Sequence, residues 1–173
     1  MCSGNGTNFQ NIVTNPVCNT NEVVLMIHNT KHCGAVKRAA KFGIPHVRVA
    51  HKEEDQMIKL FETWRVDLIV LAGYMRVIQN PAAFPAPIIN IHPSLLPKYK
   101  GLHAIEQALD SGDEITGVSV HYVNEELDGG EIILQQEVPI LPDDDLESLT
   151  KAIQRIEYGI LPAAIEYVKK EIQ

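Results

Sequence analysis

A chain of 173 residues, 45% hydrophobic and 21% charged, carries enough apolar material for one core and reads as a single water-soluble domain over residues 1–173. No run approaches the roughly 18 to 20 apolar residues that cross a bilayer, and the N-terminus has neither a basic segment nor an apolar signal core, so no membrane is expected and the cytoplasm is the expected compartment. The formal charge of −7 disfavours nucleic acid as a partner, because such binding needs a basic face, and any anionic ligand must be held by a local site. Cys2, Cys18 and Cys33, odd in number and without a CxxC pair, read as free thiols.

Ser3-Gly4-Asn5-Gly6-Thr7-Asn8 opens onto a short amphipathic helix that ends near Asn15-Pro16. Glycines at a helix start let backbone N–H groups close on an oxyanion, and the helix dipole favours negative charge there. Gly6, Thr7 and Asn8 are therefore a candidate phosphate site, with an ordinary turn and cap as the alternative. In a doubly wound sheet such a loop follows a buried central strand, yet only Met1 and Cys2 precede it. The expectation is that the sequence begins late, at an internal Met or by truncation, and that the first central strand is missing from it.

Residues 22–28 form an apolar run of strand length, and 34–42 have helical spacing with Val36, Ala39 and Ala40 on one face. A short strand at 46–49 precedes an amphipathic helix over 53–64 with Met57, Leu60, Phe61 and Trp64 on its stripe. Residues 67–73 then read as a buried parallel strand. His28 and His32 stand four apart, but 29–31 read as a loop without a carboxylate, so no metal is expected. Met75, Arg76, Val77 and Ile78 leave the end of the 67–73 strand, where apolar groups around one Arg line either a pocket for a flat heterocycle or an ordinary core.

Residues 88–91 form the next strand and give out into Asn90-Ile91-His92-Pro93-Ser94-Leu95-Leu96-Pro97-Lys98-Tyr99-Lys100-Gly101. Alternation along a strand projects Asn90 and His92 together and turns Ile91 into the core, at the sheet edge where open α/β folds place their chemistry. Pro93 and Pro97 stiffen the loop that follows. A helix over 102–111 stops at Gly112, and residues 116–122 alternate so that Ser119 and His121 face the same space as His92. Asp128 then stands on a glycine turn before a returning strand at 132–138, where a carboxylate can orient the imidazole. The last helix starts at Leu146 behind Asp143, Asp144 and Asp145, meets Gly159 and Pro162, and restarts through 163–170. The fold class is α/β: a Rossmann-like, mostly parallel sheet with an antiparallel end and helices on both faces.

Asn90-x-His92-Pro-Ser-Leu-Leu-Pro, with Asp128-Gly-Gly farther on, resembles the folate-dependent formyltransferases, and the likeness runs from Ser3 to about Pro162. It implies 10-formyltetrahydrofolate as cosubstrate, no metal, and formyl transfer to the amine of phosphoribosylglycinamide in purine synthesis, by direct amine attack through a tetrahedral intermediate. It further implies Asn90, His92 and Asp128 as catalytic residues, supported by Ser119 and His121. Gly6, Thr7 and Asn8 would hold the substrate phosphate and Glu157 the substrate, while Met75, Arg76, Val77, Ile78, Asn90, Val123 and Leu127 would hold the folate. Tyr158 departs from the family's more usual histidine. Formyltetrahydrofolate hydrolases and aminoacyl-tRNA formyltransferases share the Asn-x-His motif and are the alternatives; Pro93-Ser94 and the Gly6 loop favour the ribonucleotide substrate. The expected partners are that substrate and folate, with the chain a monomer or homodimer. A non-catalytic Rossmann module would need a GxGxxG fingerprint and an acid where the second strand instead ends His28-Asn29.

Overall fold

The computed structural model describes residues 1–173. In chain order the elements are α1 (Thr7–Thr14), β1 (Met26–His28), α2 (Ala35–Lys41), β2 (His46–Arg48), α3 (Glu54–Thr63), β3 (Ile69–Leu71), β4 (Ile88–His92), α4 (Ala104–Ser111), β5 (Ile115–Tyr122), β6 (Ile132–Pro139) and α5 (Leu146–Ile172). β3, β4, β5 and β6 form one sheet in that order; β3 and β4 run parallel, and β5 and β6 add the antiparallel end. β1 and β2 form a separate parallel pair.

Alternation along the strands divides the core between two faces. Ile89, Ile91, Val118 and Val120 pack with Leu149, Ile153, Leu161 and Ile165 of α5, with Ile12 of α1 and Ile105 of α4 against them. Ile69, Leu71 and Ile88 face the other way, onto Met57 and Phe61 of α3 and onto Tyr74, Ile78 and Phe84. Helices thus cover both faces, and Asn90 and His92 share the parity of Ile88, opposite α5. No helix is long and apolar enough to cross a membrane.

Between β1 and β3 stand Met1 and Cys2. The Cys2 N–H donates to Ile27 C=O at 2.9 Å, and Ala72 N–H donates to Met1 C=O at 2.9 Å. Behind them a cavity of about 700 Å³ separates the two strands, lined by Val23, Leu25 and Ile27 on one side and by Leu68 and Val70 on the other. Strand structure at 22–28 and 67–73 accordingly contracts to Met26–His28 and Ile69–Leu71. Extended backbone becomes strand only where a neighbour takes its hydrogen bonds, and none spans the cavity.

Three helix expectations are corrected. Trp64 caps α3 with 39% of its surface exposed, and Ala40 is exposed on α2, so the buried positions there are Ala35 and Ala39. α5 does not break at Gly159 and Pro162 but continues for 27 residues. A proline inside a helix leaves the carbonyl four residues earlier without its donor. Here that carbonyl, on Tyr158, accepts the Asn11 side-chain amide at 2.8 Å, so α1 supplies the missing bond.

Candidate active site

The ladder between β4 and β5 sets Asn90 opposite His121 and His92 opposite Ser119, on the face away from α5. His121 Nδ1 lies 2.8 Å from the Tyr122 carbonyl, which can only accept, so that nitrogen carries the proton. Its Nε2 is then an acceptor, and the Asn90 amide donates to it at 3.2 Å. One amide hydrogen of Asn90 is thereby fixed and the other is left to act. His92 is buried, and its Nε2 donates to the Tyr99 carbonyl at 2.7 Å, leaving Nδ1 as the free nitrogen.

Asp128 completes the group from the loop before β6. Its Oδ2 stands 3.5 Å from His92 Nδ1 and its Oδ1 3.6 Å from His121 Nε2. Gly101 N–H donates to Oδ2 at 2.8 Å. Burial alone would raise this carboxyl, but the neighbouring imidazoles of His121 and His92 and the Gly101 N–H outweigh it and hold Asp128 below its ordinary range. The turn that delivers it admits only glycine at 130, since a Cβ there would lie 1.7 Å from the Tyr122 carbonyl oxygen.

Ser119 does not open into the space before His92. Its Oγ is buried, donates to the Ser94 carbonyl at 2.7 Å, and accepts from Leu96 N–H at 3.1 Å and the Gln135 amide at 2.8 Å. It anchors the loop that follows β4. Tyr99, Gly101 and Gln135 are partners that the pattern of residue types does not single out, although Tyr99 and Gly101 lie within the motif. Each acts through its backbone or through a cross-strand neighbour.

A second cluster forms at the start of α1. Gly6 has φ 72, in the left-handed region that favours glycine, and a Cβ on it would lie 2.5 Å from Ala35 Cβ. The loop closes through Gly4 C=O, which accepts Ala35 N–H at 3.1 Å, and the first N–H groups of α1 have no partner within the helix. Asn8 donates to Glu157 of α5 at 3.0 Å, which joins residues 149 apart in sequence. Burial pushes the Glu157 carboxyl up, against the pull of that bond. Asn8 Oδ1 is buried without a partner.

The segment after β3 divides. Met75, at 60% exposure, Val77 and Leu127 stand out from the surface, whereas Ile78 is buried in the core with Tyr74 and Phe84. Arg76 is exposed. Val123 lines a cavity of about 500 Å³ together with Pro81, Ala82, Ala86 and Tyr122. The Cys2, Cys18 and Cys33 thiols are all free and buried, and the Cys33 thiol donates to the Gly4 carbonyl of the glycine loop at 3.2 Å.

An open α/β sheet carries, at the ends of its parallel strands, an imidazole facing a carboxylate, an oriented amide donor and no activated nucleophile. Parts of this kind, a proton-carrying ring beside a donor aimed at a carbonyl oxygen, are those that group-transfer chemistry uses. Residues 1–165 match the formyl transferase family model. A phosphoribosylglycinamide formyltransferase of Haemophilus influenzae is 37% identical over 96% of this chain and 84% of its own length. The trifunctional purine biosynthetic protein adenosine-3 of Drosophila melanogaster is 40% identical over 95% of this chain, which spans 13% of that larger protein. The solved phosphoribosylglycinamide formyltransferase of Bacillus halodurans superposes with a TM-score of 0.91 at 36% identity, covering 99% of this chain and 94% of that one. The chain belongs to the formyl transferase family.

Proposed function

We propose that this protein transfers the formyl group of 10-formyltetrahydrofolate to the primary amine of phosphoribosylglycinamide, a step of purine synthesis. The observation that carries the reading is the junction of Asn90, His92 and Asp128 with no serine or cysteine poised to attack. The substrate nitrogen adds to the formyl carbon and the carbonyl oxygen becomes an oxyanion, which takes hydrogen bonds from the free Asn90 amide hydrogen and from His92 Nδ1–H. His92 gives its Nδ1 proton to the folate nitrogen as the bond to carbon breaks, and the Nδ1 so freed takes back the proton that the added amine gives up. Asp128, ionised beside Nδ1, stabilises the imidazolium that this requires.

Gly6, Thr7 and Asn8 hold the phosphate with the unpaired N–H groups of α1, and Glu157, bonded to the Asn8 amide, accepts hydrogen bonds from the sugar or amine end. The folate ring lies along Met75, Val77 and Leu127 with Arg76 at their margin. The cavity beside Val123 is of a size to take a flat heterocycle. Ser119 and His121 support this arrangement through the β4 loop and the Asn90 amide.

Product analysis with both substrates tests the reading. Formyl label should leave the folate and appear on the glycinamide nitrogen, and a substrate without its phosphate should bind much more weakly. Formate released without dependence on the amine would instead assign hydrolysis of the formyl folate.

A further inference from the structure

We infer that Tyr99, tethered by Asp113, is a positioning residue that fixes which nitrogen of His92 delivers the proton. The inference rests on His92 being the proton carrier of the reaction above. Tyr99 acts through its backbone carbonyl, which accepts His92 Nε2–H at 2.7 Å. A carbonyl can never donate, so Nε2 stays protonated whether the ring is charged or neutral, and Nδ1 is the nitrogen that gains and loses the mobile proton.

The carbonyl reaches His92 because Tyr99 has φ 54, a left-handed conformation that side-chain-bearing residues rarely adopt. Side-chain tethers hold it there. The Tyr99 hydroxyl donates to Asp113 Oδ2 at 2.6 Å, Lys98 Nζ reaches the same oxygen at 2.7 Å, and the Lys98 carbonyl accepts from Ser94 Oγ at 2.6 Å. The Lys98 bond, with that of Tyr99, holds the Asp113 carboxyl below its ordinary range and so keeps it an acceptor. Gly101 N–H, two residues on, fixes Asp128 Oδ2. One loop therefore grips the imidazole from behind and the carboxylate in front, and its conformation sets the 3.5 Å gap between them.

With the tether cut, the Tyr99 peptide is free to leave the left-handed region and its carbonyl to turn from Nε2. Asp128 then draws the remaining ring proton to Nδ1, and the neutral ring holds its proton on the wrong nitrogen for another turnover. Tyr99→Phe and Asp113→Ala should each lower kcat by roughly tenfold while KM for both substrates stays within about twofold, the mark of a loss felt only after binding. Asp113→Asn, whose amide oxygen still accepts from Tyr99, should recover most of the rate. Nitrogen-15 NMR of the histidine-labelled chain without substrates, with His92 assigned from the His92→Gln spectrum, should show Nε2–H in the parent and a shift toward Nδ1–H in Tyr99→Phe. A Tyr99→Phe protein with the parent tautomer and the parent kcat would overturn the inference. The tautomer is read without turnover, so a chain that transfers no formyl group but shows Nε2–H would refute the proposed reaction and not this role of Tyr99. Should Asp113→Ala fail to fold, Tyr99→Phe and Asp113→Asn still decide.

Discussion

Two regions of the molecule differ in what holds them. At the β4–β5 edge each working side chain is fixed from at least two sides: His92 by Tyr99 and Asp128, Asn90 by the ladder and His121, Asp128 by Gly101 and both imidazoles. Between β1 and β3, Met1 and Cys2 bridge the strands beside a cavity of about 700 Å³. The glycine loop hangs from that second region: Ser3 N–H donates to Gly73 C=O, and Ser3 Oγ reaches Asn29 and Met75. In the proposed function, proton chemistry is seated on the four-stranded sheet clamped by α5, and the phosphate loop is seated on β1 and β3. Disturbing the first region should alter turnover, and disturbing the second should alter stability and substrate affinity.

Removing the imidazole should have the largest effect. His92→Ala is expected to lower kcat by about 10²–10⁴-fold with the fold intact by circular dichroism, because it removes the proton carrier of the proposed reaction. Next comes the bridge between β1 and β3. Cys2→Pro, which removes the N–H donated to the Ile27 carbonyl, should lower stability by roughly 2 kcal/mol, read as a lower urea midpoint.

Asp128→Asn is expected to cost about 10–100-fold in kcat by leaving the imidazolium without its carboxylate. It also carries a pH signature. The folded carboxyl titrates below its ordinary value of 3.8, so ionised Asp128 stabilises the fold above that pH, and this stabilisation is lost as pH falls through the depressed value. The variant should therefore melt below the parent at neutral pH, with the difference closing in acid. The smallest effect is expected at Pro162→Ala. A helix-interior proline commonly costs about 3 kcal/mol, but Asn11 already serves the Tyr158 carbonyl, so thermal melting should show a gain of under about 1 kcal/mol.

Where residue type and spacing determine geometry, the sequence was a sound guide. Alternation along a strand placed Asn90 with His92, and Ile91 in the core, before any coordinates; the same parity put Ser119 and His121 on the facing side of β5. The glycine turn at Asp128 and the loop at Gly6 were legible because few residues tolerate those backbones. What stayed hidden depends on contacts between distant segments. Asn11 carries α5 through Pro162, Gln135 takes up Ser119, and the Tyr99 carbonyl turns onto His92, none of which leaves a local pattern. The short β1 and β3 were misjudged for a related reason: apolar runs announce extended chain, but neighbours decide how much of it becomes strand.

The most direct test of the contrast between the two regions is to measure kcat and KM for phosphoribosylglycinamide in the parent chain and in Cys2→Pro. Seating of chemistry on the β4–β5 edge predicts a higher KM for the phosphorylated substrate with kcat within about twofold of the parent. A kcat lowered by about tenfold or more at unchanged KM would contradict it, and would mean that the reacting groups themselves depend on how β1 and β3 are bridged.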